Sequence, residues 1–156
     1  MKAFTLKENG GIENLAYAEI AVPTIQPHEV LVKVKAISIN PVDAFVRQSN
    51  QALLNILEPK NGEDTFVLGW DISGTIEATG EDVTEFRKGE DVFGMINFSG
   101  HGKAYAEYIA APVSHLALKP ANISHDEAAA ATLAALTAWQ ALVTHAKVQK
   151  GDKVLI

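Results

Sequence analysis

Glu29-Val30-Leu31-Val32-Lys33-Val34-Lys35-Ala36-Ile37-Ser38-Ile39 is the run from which the fold is read. Val30, Val32, Val34 and Ala36 alternate with Leu31, Lys33, Lys35 and Ile37. One face is therefore apolar and the other mixed, the period-2 pattern of a strand. Pro23 and Pro27 ahead of it keep the approach extended and prevent a helix. A second alternating run, Ile72 to Thr79, sets Ile72, Gly74, Ile76 and Ala78 against Ser73, Thr75, Glu77 and Thr79. Gly74 in its middle predicts a bulge or a close backbone approach. Asp91 to Ile96 and Ala104 to Ala110 read as shorter strands separated by Gly-containing turns. Many short strands joined this way predict a small barrel or sandwich, not a parallel sheet.

The pattern changes at Asn122. Ser124-His125-Asp126-Glu127 is a capping box, with acidic residues at the positive end of the helix that follows. Ala128 to Ala135 have strong helix propensity. Leu133, Leu136, Trp139, Leu142 and Val143 recur at three- and four-residue steps, which predicts one long helix or two with a break near Thr137. Gln149-Lys150-Gly151-Asp152-Lys153 is a turn, and Val154-Leu155-Ile156 opens an apolar run of the kind a strand buried in a parallel sheet shows. The expectation is a strand whose partners lie beyond residue 156, with a short antiparallel edge strand as the alternative.

Composition narrows the function. Of 156 residues, 47% are hydrophobic and 21% charged, enough apolar surface for a folded core. A net charge of −6 with no cluster of three basic residues argues against nucleic acid or an anionic membrane as partner. No cysteine is present, which excludes disulfides, thiolate nucleophiles and Cys-based zinc sites. With no signal-peptide pattern and no apolar run of about 20 residues, a cytoplasmic protein is expected. The Asn-x-Ser sequons at Asn97 and Asn122 are then chance matches.

None of His28, His101, His115, His125 and His145 pairs with another at i+3 or i+4, and no G-x-S-x-G elbow occurs. Ser99-Gly100-His101-Gly102 reads as a loop between strands. Two polar clusters stand beside the strong strands. In Asn40-Pro41-Val42-Asp43, Pro41 restricts Asn40 to extended geometry and Asp43 can cap the helical turn that follows. In Gly69-Trp70-Asp71, the indole suits the core and the carboxylate a turn. Either cluster is readable as a cap or as a site.

Taken in order, Ala36 to Asp43, Phe66 to Gly74, Val83 to Gly94 and Tyr105 to Tyr108 resemble successive signature segments of the zinc-free, quinone oxidoreductase (zeta-crystallin-like) type of medium-chain dehydrogenase/reductase. Glu127 to Leu142, with Leu136-Thr137-Ala138-Trp139-Gln140-Ala141-Leu142 at its heart, resembles a further segment. Gly151 to Ile156 resembles the lead into the first Rossmann strand. The resemblance implies a mainly β fold with α: a GroES-like, partly open β-barrel over 1–122, a helical connection over 123–150, and the start of a Rossmann nucleotide-binding domain over 151–156. It implies reduction of a quinone or other conjugated carbonyl by NADPH or NADH, the cofactor being held mostly by a domain outside this chain. A homodimer of the intact protein belongs to the same expectation.

The resemblance also assigns positions. In zinc-dependent relatives Asn40 would be a Cys ligand, Trp70-Asp71 a His-Glu pair and Leu133 the last ligand. The four-Cys structural zinc lobe has no room between Gly94 and Tyr105. Zinc is therefore not expected. Asn40 is placed as the catalytic residue near the nicotinamide and the substrate carbonyl, and Thr137 against the nicotinamide ring. Phe45 (where several relatives have Tyr), Trp70 and Asp71 are placed in the substrate pocket. Arg47 matches a family Arg, with a structural role as open as a catalytic one. Three alternatives stay open: a stand-alone GroES-like binding or assembly module, an inactive truncated product, and a reductase of 2-enoyl thioesters or enals.

Overall fold

The computed structural model describes residues 1–58 and 65–155. Chain order is β1 (Lys2–Leu6), β2 (Leu15–Glu19), β3 (Glu29–Ser38), α1 (Pro41–Gln48), α2 (Asn50–Leu57), β4 (Asp71–Thr79), β5 (Asp91–Met95), β6 (Tyr108–Pro112), β7 (Ala117–Leu118) and α3 (His125–Trp139). A π-helical stretch, Gln140–His145, continues α3. The strands form an antiparallel five-stranded sheet in the order β6-β3-β4-β5-β7 and a separate β1-β2 pair. Single bridges, Ala3 to Ala106 and Leu6 to Phe66, tie the two together. The sheets do not close on themselves, so the barrel is partly open.

The alternation read in β3 survives folding: Val30 and Val32 are fully buried while Lys33 and Lys35 are exposed. β4 behaves differently. Both of its faces are buried from Asp71 to Gly74, because α3 lies across one face and an apolar cluster of Val30, Val32, Ile72, Ile76 and Val92 fills the other. Gly74 answers both halves of its expectation. A Cβ there would lie 2.3 Å from the Lys33 carbonyl oxygen, and the β3–β4 register slips between Val34 and Ala36 directly opposite.

The structure moves one expected strand, adds a helix that was not read, and bears on two readings left open. The strand placed at Ala104–Ala110 lies at Tyr108–Pro112 instead. Tyr105 is turned inward to the second apolar cluster, with Leu6, Val46, Leu53 and Leu68, so its segment cannot stay on the ladder. α2 went unread. Ser49 caps it, its hydroxyl accepting from Ala52 N–H at 3.2 Å, and Ala52, Leu53 and Leu57 pack into the core. Of the two readings of the last helical stretch the unbroken one holds: α3 passes Thr137 and widens to a π-helix after Trp139. It also buries Ala128, Ala129 and Thr132, while Leu136, Trp139 and Val143 stay 42%, 63% and 45% exposed. Small residues let the helix lie close on the sheet, which turns the large ones outward. Residues 152–155 form no strand with the rest of the chain, so the antiparallel edge-strand alternative is not formed. Leu155 is 98% exposed, and a strand needs a neighbour to take up its backbone N–H and C=O groups. Ile156 lies outside the described residues.

Candidate functional site

The site is built where β3 ends and β4 begins. Ser38 pairs with Asp71 in the ladder, so the residues just past β3 lie beside the first residue of β4. Asn40 has φ −113° and ψ 162°, the extended geometry that Pro41 enforces. Its backbone N–H donates to Asp43 Oδ2 at 2.7 Å, as the start of α1 requires. Its side-chain Nδ2 donates to Asp71 Oδ2 at 2.9 Å. A second donor to that oxygen arrives from α3: the Leu133 backbone N–H reaches it at 3.3 Å. Asn40, Asp71 and Leu133, widely separated in sequence, therefore meet on one carboxylate.

Both carboxylates are buried, Asp43 at 2% exposure and Asp71 at 0%. Oδ1 of each has no hydrogen-bond partner among the described residues. Burial pushes the Asp43 carboxyl above its usual range, against the pull of the Asn40 N–H and the nearby Tyr105 phenol, and the charge of Asp71 adds to the rise. Burial likewise pushes the Tyr105 phenol well above the ordinary tyrosine range, with Asp43 reinforcing it. Tyr105 stands there because Gly69, at φ +90°, leaves its ring room: a Cβ on Gly69 would lie 2.5 Å from Tyr105 Cδ1.

The other anticipated residues separate. Phe45 is 58% exposed, on the outer face of α1. Trp70 is 1% exposed. The loop after β5 folds over it, its indole N–H donates to the Gly100 carbonyl at 2.9 Å, and Phe98 packs edge-on against the ring at 5.4 Å. It acts from beneath, as a support for residues 97–102. Arg47 Nη1 donates to the Gly10 carbonyl, and the Arg47 carbonyl accepts from Gly10 N–H at 3.0 Å. That pairing ties α1 to the β1–β2 connection. Thr137 is exposed on α3, one turn beyond Leu133 and so on the same helix face.

A cavity of about 590 Å³ opens on the neighbouring face of α3, walled by Phe93, Met95, Phe98, Leu116, Leu136 and Trp139. None of the anticipated site residues lines it. It nevertheless adjoins them, because Met95 is the ladder partner of Asp71 and Thr132, at its rim, precedes Leu133. The spacing of Leu136 and Trp139 was the one sequence signal for it, and that spacing reads equally as a core-facing stripe. At the start of α3, His125 Nδ1 meets Ser73 Oγ at 2.8 Å and His125 Nε2 lies 3.5 Å from Asp91 Oδ2. This cluster had no signature in the sequence. No helix among the described residues is long and apolar enough to cross a membrane. No group of three or more His, Cys, Asp or Glu side chains converges among them either.

Comparison with known proteins agrees with this architecture. The chain is 34% identical over 157 residues to the quinone oxidoreductase of Lama guanicoe, covering 100% of the chain and 44% of that protein. It superposes on the quinone oxidoreductase from Coxiella burnetii with a TM-score of 0.88 at 32% identity, over 97% of this chain and 47% of that one. The Escherichia coli quinone oxidoreductase complexed with NADPH matches with a TM-score of 0.77 at 25% identity, over 94% and 41% of the two chains. The chain thus spans a little under half the length of these relatives. Residues 26–121 match the model of the alcohol dehydrogenase GroES-like domain, and the chain belongs to that family.

Proposed function

We infer that this chain is the substrate-side part of a nicotinamide-dependent oxidoreductase that reduces quinones or other conjugated carbonyls without zinc. The observation that carries the reading is the convergence of Asn40, Asp71 and the Leu133 N–H. The donor set does not fit a zinc ion. Asn40 presents an amide N–H to Asp71, Leu133 offers only its backbone N–H, and the Trp70 indole is committed to Gly100. One carboxylate remains, and a zinc site takes three or four ligands.

The exposed Thr137, one turn from Leu133, and the apolar surface of Leu136 and Trp139 fit the flat end of a nicotinamide nucleotide. Bound there, the nicotinamide supplies the hydride. This chain supplies position and polarity. An amide nitrogen carries two hydrogens; Asn40 gives one to Asp71 and keeps the other for the carbonyl oxygen that gains charge as it is reduced. The apolar cavity beside it keeps water from the reacting carbon and suits a flat substrate such as a quinone. Two electrons and one hydrogen nucleus reach the quinone as hydride, and a proton from solvent completes the hydroquinone. A cytoplasmic setting and assembly as a homodimer belong to the same reading.

The test is NADPH oxidation by the full gene product, followed through nicotinamide absorbance with a quinone and, separately, with a 2-enal. Quinone-dependent turnover that survives exhaustive dialysis against a chelator is expected. Turnover with the enal alone makes the protein an enal reductase. Turnover with neither refutes the enzyme reading and favours a binding module.

A further inference from the structure

Asp71 is an unusual residue to bury. It is fully enclosed, and no Lys, Arg or His is paired with it among the described residues. Its Oδ1 has no hydrogen-bond partner among the described residues. Burying a carboxylate without a counter-charge is costly, and the two hydrogen bonds to Oδ2 offset only part of that cost. A neutral amide would accept the Leu133 N–H equally well, so the bond to α3 does not account for the charge.

The bond to Asn40 does. A carboxylate only accepts hydrogen bonds. It therefore admits one orientation of the Asn40 carboxamide, with Nδ2 toward Asp71, where a neutral partner such as Asn would tolerate either. The Asn40 backbone is anchored independently, by Pro41 on one side and by its N–H to Asp43 Oδ2 at 2.7 Å. With the backbone fixed and one amide hydrogen held at 2.9 Å, the second amide hydrogen has a single direction. We propose that Asp71 is a positioning residue, whose carboxylate locks the Asn40 carboxamide so that its free N–H is presented to the substrate carbonyl. This rests on the role given to Asn40 above.

The experiment compares the wild-type full gene product with Asp71→Asn and with the reciprocal pair Asn40→Asp/Asp71→Asn. In Asp71→Asn the Asn40 amide is free to turn over. Its kcat for quinone should fall by roughly 10²-fold, the size of effect a small misplacement of a reacting group produces, with the KM for NADPH little changed. The reciprocal pair restores a side-chain hydrogen bond with donor and acceptor exchanged. It should regain the thermal midpoint lost in the single variant and not regain kcat. Recovery of both together, or an unchanged kcat in Asp71→Asn, overturns the proposal, since either means that the bond is only structural. If the single variant does not fold, the wild-type Asn40 side-chain amide decides by NMR. One amide proton protected from exchange with solvent supports the lock, and two freely exchanging protons overturn it. Absence of turnover in the wild type would refute the enzyme reading instead, and the amide measurement would still judge the lock by itself.

Discussion

Replacing His125 with Ala removes the link between the first residue of α3 and the sheet beneath it, and the size of the loss follows from where the hydrogens must lie. Ser73 is fully buried, and its hydroxyl contacts both the Val92 carbonyl at 3.1 Å and His125 Nδ1 at 2.8 Å. The hydroxyl has one hydrogen, and a carbonyl can only accept. That hydrogen goes to Val92, so His125 Nδ1 must carry a proton and donate to Ser73. Cutting this bond leaves a buried oxygen short of a donor, a loss of about 1–2 kcal/mol. The Nε2 contact to Asp91, at 3.5 Å with the Asp91 side chain 43% exposed, adds about 0–0.5 kcal/mol after solvent screening. Alanine returns a few tenths of a kcal/mol, roughly, in helix propensity. The net expectation is a loss of about 1–2 kcal/mol, or a fall in melting temperature of roughly 2–8 °C for a chain of this size. Urea and thermal unfolding of the chain measure it. His125→Asn keeps an N–H where Nδ1 stands and should recover more than half of the loss. A double-mutant cycle with Ser73→Ala should give a coupling of about 1 kcal/mol. A coupling of zero, or imidazole nitrogen NMR showing Nδ1 unprotonated, refutes the reasoning.

Two further outcomes follow from the buried groups. Asp43 has its carboxyl raised by burial above the ordinary 3.8, so the folded state binds that proton more tightly than the unfolded chain does. Its contribution to stability is fully present below 3.8 and is lost as pH rises through the raised value. Asp43→Asn should remove that decline, and urea midpoints of the two proteins measured across this window check it. Gly69→Ala puts a Cβ 2.5 Å from the Tyr105 ring at a backbone φ of +90°. Backbone strain of about 1–2 kcal/mol and overpacking of about 1–3 kcal/mol predict a loss of roughly 2–5 kcal/mol. A variant as stable as the wild type would mean that the ring does not sit there.

Much of the sheet was legible because a strand's pleat writes its burial into every second residue. β3 carries that signal plainly, and so does the start of α3, where Ser124 N–H donates to Glu127 Oε2 at 2.8 Å and Glu127 N–H donates to Ser124 Oγ at 3.1 Å. Other parts were not legible. α2, only eight residues long, is held by Ala52, Leu53 and Leu57 in the core. Trp70 reads either as core or as a pocket wall, and only the fold shows the loop carrying Phe98 and Gly100 closing over it. The stripe from Leu136 to Val143 has helical spacing, and spacing alone does not say whether the small or the large residues meet the sheet.

By itself, then, the sequence determined what depends on neighbours a few residues apart: the alternation of β3, the extended turn at Asn40-Pro41, and the cap at Ser124. Its family resemblance also named Asn40, Asp71 and Leu133 as positions that belong together. Only the tertiary structure decided how they meet, with Asn40 Nδ2 donating across 31 residues and the Leu133 N–H across 62 to the same carboxylate oxygen. The physical reason is one of range. Local periodicity records which way a side chain faces, but the partner of a buried polar atom is set by which distant segments the apolar core brings within hydrogen-bonding distance.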